Sequence, residues 1–152
     1  KALGIAQRDE PTGELTCSFT IINFTPEGLE GLCDCRVPLC AAAENCKDVA
    51  DRVMAACGFE TAGMMIPPHY TPADGTFIQT LLDSYEAFTG REGACYSMGG
   101  GTYVHDVPGG VAFGYGMPGV DVRMHGANER FPVEDLFTSA KIFADVIAAL
   151  CG

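Results

Sequence analysis

The sequence contains no tryptophan and only nine lysine and arginine residues, against twenty aspartate and glutamate residues. A net charge of −11 leaves no basic face for phosphate groups, so we expect no binding to nucleic acid or to an anionic membrane surface. No apolar run approaches the roughly 20 residues that a membrane helix needs. With 47% apolar and 19% charged residues, the 152-residue chain predicts a soluble globular protein of one domain or two small lobes.

The chain also lacks the common zinc motifs. It has no CxxC pair, no HExxH pair and only three histidines, which are His69, His105 and His125. Zinc is held by three or four protein ligands, so any zinc site must take ligands from sequence outside this chain. The chain starts at Lys1 without a methionine or a signal-peptide pattern, and we interpret this start as an internal cut in a longer protein or an expression boundary.

Cysteine, in contrast, is abundant, with eight residues. An even number would suit a disulfide framework, but a chain this rich in core-forming residues does not need one. Cys46 and Cys57 fall on a predicted helix, and Cys33 and Cys35 on one face of a predicted strand. At these positions cysteine replaces a small apolar residue. We therefore predict buried structural thiols in a reducing cytoplasm.

The first half of the sequence predicts a β-β-α-β lobe. Residues 13–24 and 29–37 alternate as strands on either side of a Thr-Pro-Glu-Gly turn. Residues 45–57 are typical of a helix, with Asn45 as the N-cap and Gly58 as the stop. A short strand is expected over residues 59–66. This order is half of a ferredoxin-like sandwich.

The second half predicts an α-β-β-α lobe after a proline-rich hinge at residues 67–72. The helices are expected over residues 74–89 and 132–150, and the strands over residues 94–97 and 111–116. The pattern is typical of the closing edge of a larger α/β sheet. The predicted fold class is thus α+β or α/β.

Two charged or metal-binding side chains stand out. His125 lies in a loop before the last helix, in the run Met-His-Gly-Ala-Asn-Glu, and imidazole is a common zinc ligand. Arg36 projects from the second strand on the same face as Asp34, where it suits bidentate binding of a carboxylate. A loop histidine without a role and a structural Asp34–Arg36 pair are the alternatives. Both remain open from the residues alone.

A glycine run at residues 99–101, followed by Thr102 and Tyr103, lacks the spacing of a nucleotide-binding loop. It is compatible either with backbone that approaches a ligand or with a plain tight turn.

The series GGGTY, AFG and HGANE, in this order from Gly99 to Glu129, resembles the C-terminal end of PepV-type dipeptidases. These are the carnosinase-like members of the two-zinc aminoacylase/carboxypeptidase clan. The strand Cys-Asp-Cys-Arg-Val-Pro at residues 33–38 is similar to the family's D-x-R-x-P strand. The resemblance covers residues 15–152, and the ordered series is more specific than any one of its pieces.

The resemblance implies that residues 1–70 are the last part of a lid domain and residues 71–152 the last part of a catalytic domain. It implies that His125 is a metal ligand, that Arg36 binds the substrate's carboxylate, and that Gly100 and Gly101 approach the bound dipeptide. Two zinc ions, with manganese or cobalt as alternatives, would then act with a general base that lies upstream, outside this chain. The implied partners are a small peptide and the remainder of the parent polypeptide.

The implied activity is zinc-dependent hydrolysis of dipeptides or related N-acyl amino acids by the parent enzyme, in the cytoplasm. One histidine is too few for a metal site, so we expect the isolated chain to be inactive. An aminoacylase or deacetylase of the same clan and a non-catalytic binding or oligomerisation module remain as alternatives.

Overall fold

The computed structural model describes residues 2–114 and 116–152, and its sheets are built from neighbouring strands. Strands β1 (Arg8–Asp9) and β2 (Gly13–Glu14) form a short antiparallel pair. Strands β3 (Thr16–Thr25) and β4 (Gly28–Arg36) form a long antiparallel hairpin. Its two-residue loop begins with a proline, whose fixed φ favours a turn. The predicted hairpin is therefore confirmed.

Helix α1 (Lys47–Ala56) follows the hairpin and confirms the predicted helix. The predicted N-cap was wrong, because no side chain caps this helix. The Asn45 side chain instead closes the preceding turn: it accepts a hydrogen bond from the Ala42 amide and donates one to the Cys40 carbonyl. Gly58, at φ 84°, follows the helix in the left-handed region that glycine tolerates best.

Two further helices were also predicted correctly. Helix α2 (Thr76–Thr89) ends at Gly90, which adopts φ 66° and donates its amide to the Glu86 carbonyl. Helix α3 (Val133–Cys151) begins after Pro132, which lies one position before the first helical residue. A short 3₁₀ helix at Tyr103–Asp106 lies between them along the chain.

Three predicted strands are absent. Residues 59–66, 94–97 and the described part of 111–116 form no strand; Tyr115 lies outside the described residues. A strand exists only in a ladder of hydrogen bonds, and no partner strand pairs with these segments in the described chain. The orders β-β-α-β and α-β-β-α were thus wrong in detail. The observed fold is a small mixed α/β arrangement of two antiparallel sheets and three helices.

The chain divides into two compact units. The first comprises the residues up to 70 together with 97–109, and the second comprises residues 71–96 together with those from 110 onward. Each unit has its own apolar core. The first is built on Ile5, Ala41 and Cys46, and the second on Ile78, Leu81, Met117, Ile142 and Val146. The assignment of these parts to a lid and a catalytic domain stays a prediction.

The cysteines differ from expectation in their burial. Cys46 lies in the first core, but Cys33, Cys35 and Cys57 are exposed, so the prediction of buried thiols was wrong for these three. For Cys33 and Cys35 the reason is that most of the β3–β4 hairpin is exposed in the described part of the chain, and Cys57 lies at the exposed end of α1. All eight cysteines are free thiols.

Within the described residues, no helix is long and apolar enough to cross a membrane. A cytoplasmic location remains a prediction.

Candidate functional site

Arg36 is the last residue of β4, and its side chain is held by Asp34 two positions earlier. Strand alternation places both on one face, as predicted. The guanidinium donates from Nε to Oδ1 at 3.0 Å and from Nη2 to Oδ2 at 2.7 Å, which is a bidentate pair. Both side chains remain about half exposed. The hydrogen bonds and the negative charge of Asp34 raise the pKa of Arg36 above its usual value, so Arg36 stays a cation.

The glycine run lies against the same arginine. Arg36 Nη1 donates to the carbonyl of Gly99, a residue 63 positions away in the sequence. A Cβ built on Gly99 would lie 3.3 Å from Arg36 Cγ, tighter than ordinary packing allows. Glycine therefore lets the two segments approach closely, and a larger residue would require the Arg36 side chain to shift. The structure thus brings together Arg36 and the loop that contains Gly100 and Gly101.

These contacts leave part of the guanidinium available. Arginine has five N–H donors, and Asp34 and Gly99 accept three hydrogen bonds from them. Gly101 is exposed, and a Cβ built on it would meet no atom within 4 Å. The arrangement is an oriented cation beside open backbone, which is chemically suited to bind a carboxylate.

His125 lies in the second unit, in a loop closed by backbone hydrogen bonds. The amide of Arg130 donates to the Val122 carbonyl at 3.0 Å, and the amide of Gly126 donates to the Arg123 carbonyl at 2.8 Å. A Cβ on Gly126 would lie only 3.0 Å from that same carbonyl oxygen, so a larger residue would force the turn to open.

The backbone of this loop is strained. Arg123, His125 and Asn128 all adopt positive φ, at 53°, 60° and 59°. Each left-handed non-glycine residue costs on the order of 1–3 kcal/mol, least for asparagine and histidine. Such strain is concentrated at functional loops. The Glu129 carboxylate accepts a hydrogen bond from the backbone amide of His125 at 3.3 Å, and so stabilises the unusual conformation.

The described residues do not assemble a complete metal site. No group of three or more histidine, cysteine, aspartate or glutamate side chains has the geometry to hold an ion in the part of the chain that the structure describes. His125 is exposed at the loop surface. Zinc is held by three or four protein ligands, so this histidine by itself is not a metal site.

The structure also contains a pair of histidines that the sequence did not predict. The rings of His69 and His105 lie 5.7 Å apart and are tilted by 46°. His105 also takes part in a capping box with Thr102, the residue that follows the glycine run. No local spacing indicates this pair, because 35 residues separate the two histidines in the sequence. Only the folded loop brings them together.

The chain is similar to bacterial proteins named "putative dipeptidase". A protein of that name from Staphylococcus aureus (strain USA300) is 30% identical over 98% of this chain, and the match covers 32% of that protein. The protein named "putative dipeptidase YtjP" from Bacillus subtilis (strain 168) is 32% identical over 99% of this chain, and the match covers 32% of that protein. The chain thus spans about a third of the length of these relatives. No protein-family model matches the sequence.

The similarity extends over both units, so it includes the Arg36 region as well as the His125 loop. It is consistent with the resemblance drawn from the GGGTY, AFG and HGANE series.

Proposed function

We propose that this chain is part of a metal-dependent dipeptidase and that Arg36 binds the free carboxylate of the substrate. The observation that carries the proposal is the contact between Arg36 and the glycine run, across 63 residues of sequence. The names of the relatives support peptide hydrolysis.

The role of Arg36 follows from how it is held. The Asp34 carboxylate and the Gly99 carbonyl fix the guanidinium at the end of a strand, which limits the entropy lost on binding. Two N–H donors remain for a substrate carboxylate. Gly100 and Gly101 lie in the adjoining loop, where the absence of side chains lets a dipeptide backbone come close. A single cation of this kind favours short substrates with a free C-terminus.

His125 is proposed as one ligand of a divalent metal centre, with zinc the first candidate and manganese or cobalt as alternatives. The metal would polarise the scissile carbonyl and lower the pKa of a bound water. The strained loop supports a site role, because residues in the left-handed region cluster at active sites and ligand clamps. The other metal ligands and the general base would lie in polypeptide outside this chain.

The carboxylate role is tested by Arg36→Ala in the full-length protein that contains this chain. We expect KM for a free dipeptide to rise about ten- to a hundredfold, because a charge-assisted contact is lost. The KM of the C-terminally amidated dipeptide should hardly change. Arg8→Ala is the matched control, since Arg8 also pairs with a carboxylate, that of Glu14, on the same unit. Equal losses for the free and amidated substrates would show that Arg36 has another task.

The same assay separates the dipeptidase from an aminoacylase or deacetylase. Arg36 would serve both, because N-acyl amino acids also carry a free carboxylate. A dipeptide turned over faster than its N-acetyl amino acid counterpart supports the proposal, and the reverse order favours the aminoacylase.

The metal role is tested by metal content. His125→Ala should lower the zinc bound per full-length protein, measured by atomic emission, while His69→Ala should leave it unchanged. The isolated 152-residue chain should bind zinc only weakly in calorimetry. Tight stoichiometric zinc in that chain, still present in His125→Ala, would contradict the proposed ligand role.

A further inference from the structure

Two cysteines face each other across the β3–β4 hairpin. Cys17 and Cys35 are register partners in the antiparallel ladder, and their sulfur atoms lie 2.9 Å apart, with the Cys35 thiol donating to Cys17. Directly opposed residues in such a ladder have Cα atoms about 4.5–5.5 Å apart. Disulfides span Cα distances of about 4.4–6.8 Å. The pair can therefore be bridged without moving the backbone.

Other thiols surround the pair but are placed less well. Cys33 is two residues from Cys35 on the same face of β4, and its thiol also interacts with Cys17, but its register partner is Phe19. Cys46 is buried in the core of the first unit, against which Cys17 packs. Zinc would need three or four protein ligands, and no group of three possible ligands with suitable geometry occurs among residues 2–114 and 116–152. The geometry favours covalent chemistry between two sulfurs.

We propose that Cys17 and Cys35 are a redox-active pair that closes to a disulfide when the chain meets a low-molecular-weight disulfide such as oxidised glutathione. The inference is independent of the proposed dipeptidase activity. It concerns a site on the hairpin, one residue from Arg36 in the sequence.

The step balances as a thiol–disulfide exchange. Cys35 is the more exposed thiol and, as its thiolate, attacks one sulfur of the oxidant, which breaks the oxidant's S–S bond and releases one small thiol. Cys17 then attacks the Cys35 sulfur of the mixed disulfide and releases the second small thiol. The Cys17–Cys35 bond forms, the oxidant takes up two electrons, and the two protons leave with the small thiols.

The resting state of the pair is the dithiol. Burial and the contact with Cys17 raise the pKa of Cys35 to about 12, so this thiol is protonated at neutral pH. The thiolate is the attacking species, and so little of it is present that closure is slow at neutral pH. This agrees with the free thiols seen in the structure.

The test is oxidation of the 152-residue chain with increasing ratios of oxidised to reduced glutathione, followed by alkylation and peptide mapping. Cleavage after arginine, after glutamate and before aspartate separates the three hairpin cysteines into the peptides Leu15–Glu27, Gly31–Cys33 and Asp34–Arg36. We expect the first intramolecular cross-link to join Leu15–Glu27 to Asp34–Arg36. Alkylation should then find six free thiols in place of eight, because both thiols of the pair disappear in the same step.

Variants make the assignment specific. Cys17→Ser and Cys35→Ser should each abolish the loss of two thiols, whereas Cys33→Ser, on the same face of β4, should leave it intact. The wild-type map decides the question even if a serine variant does not fold. A first cross-link that contains Gly31–Cys33, or one formed only between two chains, would overturn the proposal.

Discussion

The α2–α3 helix pair and the β3–β4 hairpin are stabilised by different interactions. The helices bury Ile78, Leu81, Ile142 and Val146 in a shared core. The hairpin buries none of its residues fully, and Phe24 at its end is 82% exposed. Hydrophobic burial therefore fixes the helices, while the backbone ladder and neighbouring side-chain pairs fix the hairpin.

The total exposed area of the chain is larger than expected for compact bodies of this mass. It amounts to 11192 Å², against roughly 8,900 Å² for two separate globular bodies of half this mass. Large apolar side chains are exposed on the hairpin and on α3, where Leu136, Phe137 and Ile147 are more than half exposed. Patches of this kind mark surfaces that pack against other polypeptide.

The largest expected effect concerns the helix core. Ile142→Ala removes a side chain that is only 3% exposed and should lower the free energy of unfolding by about 2–5 kcal/mol. Ile147→Ala on the same helix, at 61% exposure, should change it by less than about 0.5 kcal/mol. Urea denaturation followed by far-ultraviolet circular dichroism measures both. If both variants lowered the free energy of unfolding by similar amounts, α3 would not have a buried side that stabilises it more than its exposed side.

A smaller effect is expected at the end of α2. Gly90→Ala should destabilise the chain by about 1–2 kcal/mol, because φ 66° brings Cβ too close to the backbone carbonyl. Gly114→Ala is the matched control, since that glycine has no positive φ and a built Cβ meets nothing within 4 Å. The same denaturation assay applies, and an unchanged midpoint for Gly90→Ala would show that the helix end relaxes freely.

The stability of the first unit should depend on pH through the carboxylate of Asp9. The Asp9 carboxylate accepts hydrogen bonds from the amide and hydroxyl of Thr12 and from the amide of Cys40. The Thr12 hydroxyl above all holds the pKa of Asp9 below its usual value. Since the folded pKa is depressed, the stabilisation is present above the ordinary pKa of about 3.9 and is lost as the pH falls through the lower value.

An NMR titration checks this sign. The Asp9 carboxyl should titrate below the ordinary range, and Thr12→Val should raise its pKa toward that range. An Asp9 pKa that does not respond to Thr12→Val would show that the hydroxyl hydrogen bond is not its cause.

The smallest expected effect is on the hairpin. Phe24→Ala should cost less than about 1 kcal/mol in this chain, the size of its cross-strand pair with Leu29. If a longer protein contains this chain and its further polypeptide covers the hairpin, the same substitution should cost more there, by an amount typical of a buried aromatic residue. Equal costs in both, again from urea denaturation, would indicate that the hairpin stays bare.

The fold was predictable where the partner of an element lies nearby in sequence. The hairpin needs only the turn at Pro26, and the three helices close their hydrogen bonds within their own segments. Three segments have the composition of strands: residues 59–66, 94–97 and 111–116. Composition does not indicate which other strand would form hydrogen bonds with each of them. Cap chemistry was also ambiguous at Asn45, because asparagine can close a turn as well as begin a helix.

The candidate site was predictable in its chemistry more than in its contacts. Alternation along β4 was enough to pair Asp34 with Arg36. The approach of Gly99 to Arg36, the His69–His105 contact and the opposed thiols of Cys17 and Cys35 depend on distances that no local pattern encodes.

The bare hairpin has a practical consequence for anyone producing this chain by itself. The run Phe-Thr-Ile-Ile-Asn-Phe at residues 19–24 carries no charge, proline or glycine, and in the described part of the chain one edge of its strand has no partner strand. Six such residues are the signature of segments that stack into cross-β fibrils. Without a covering chaperone or a gatekeeper lysine in place of Ile22, concentrated samples should gain thioflavin fluorescence over time, starting from this strand.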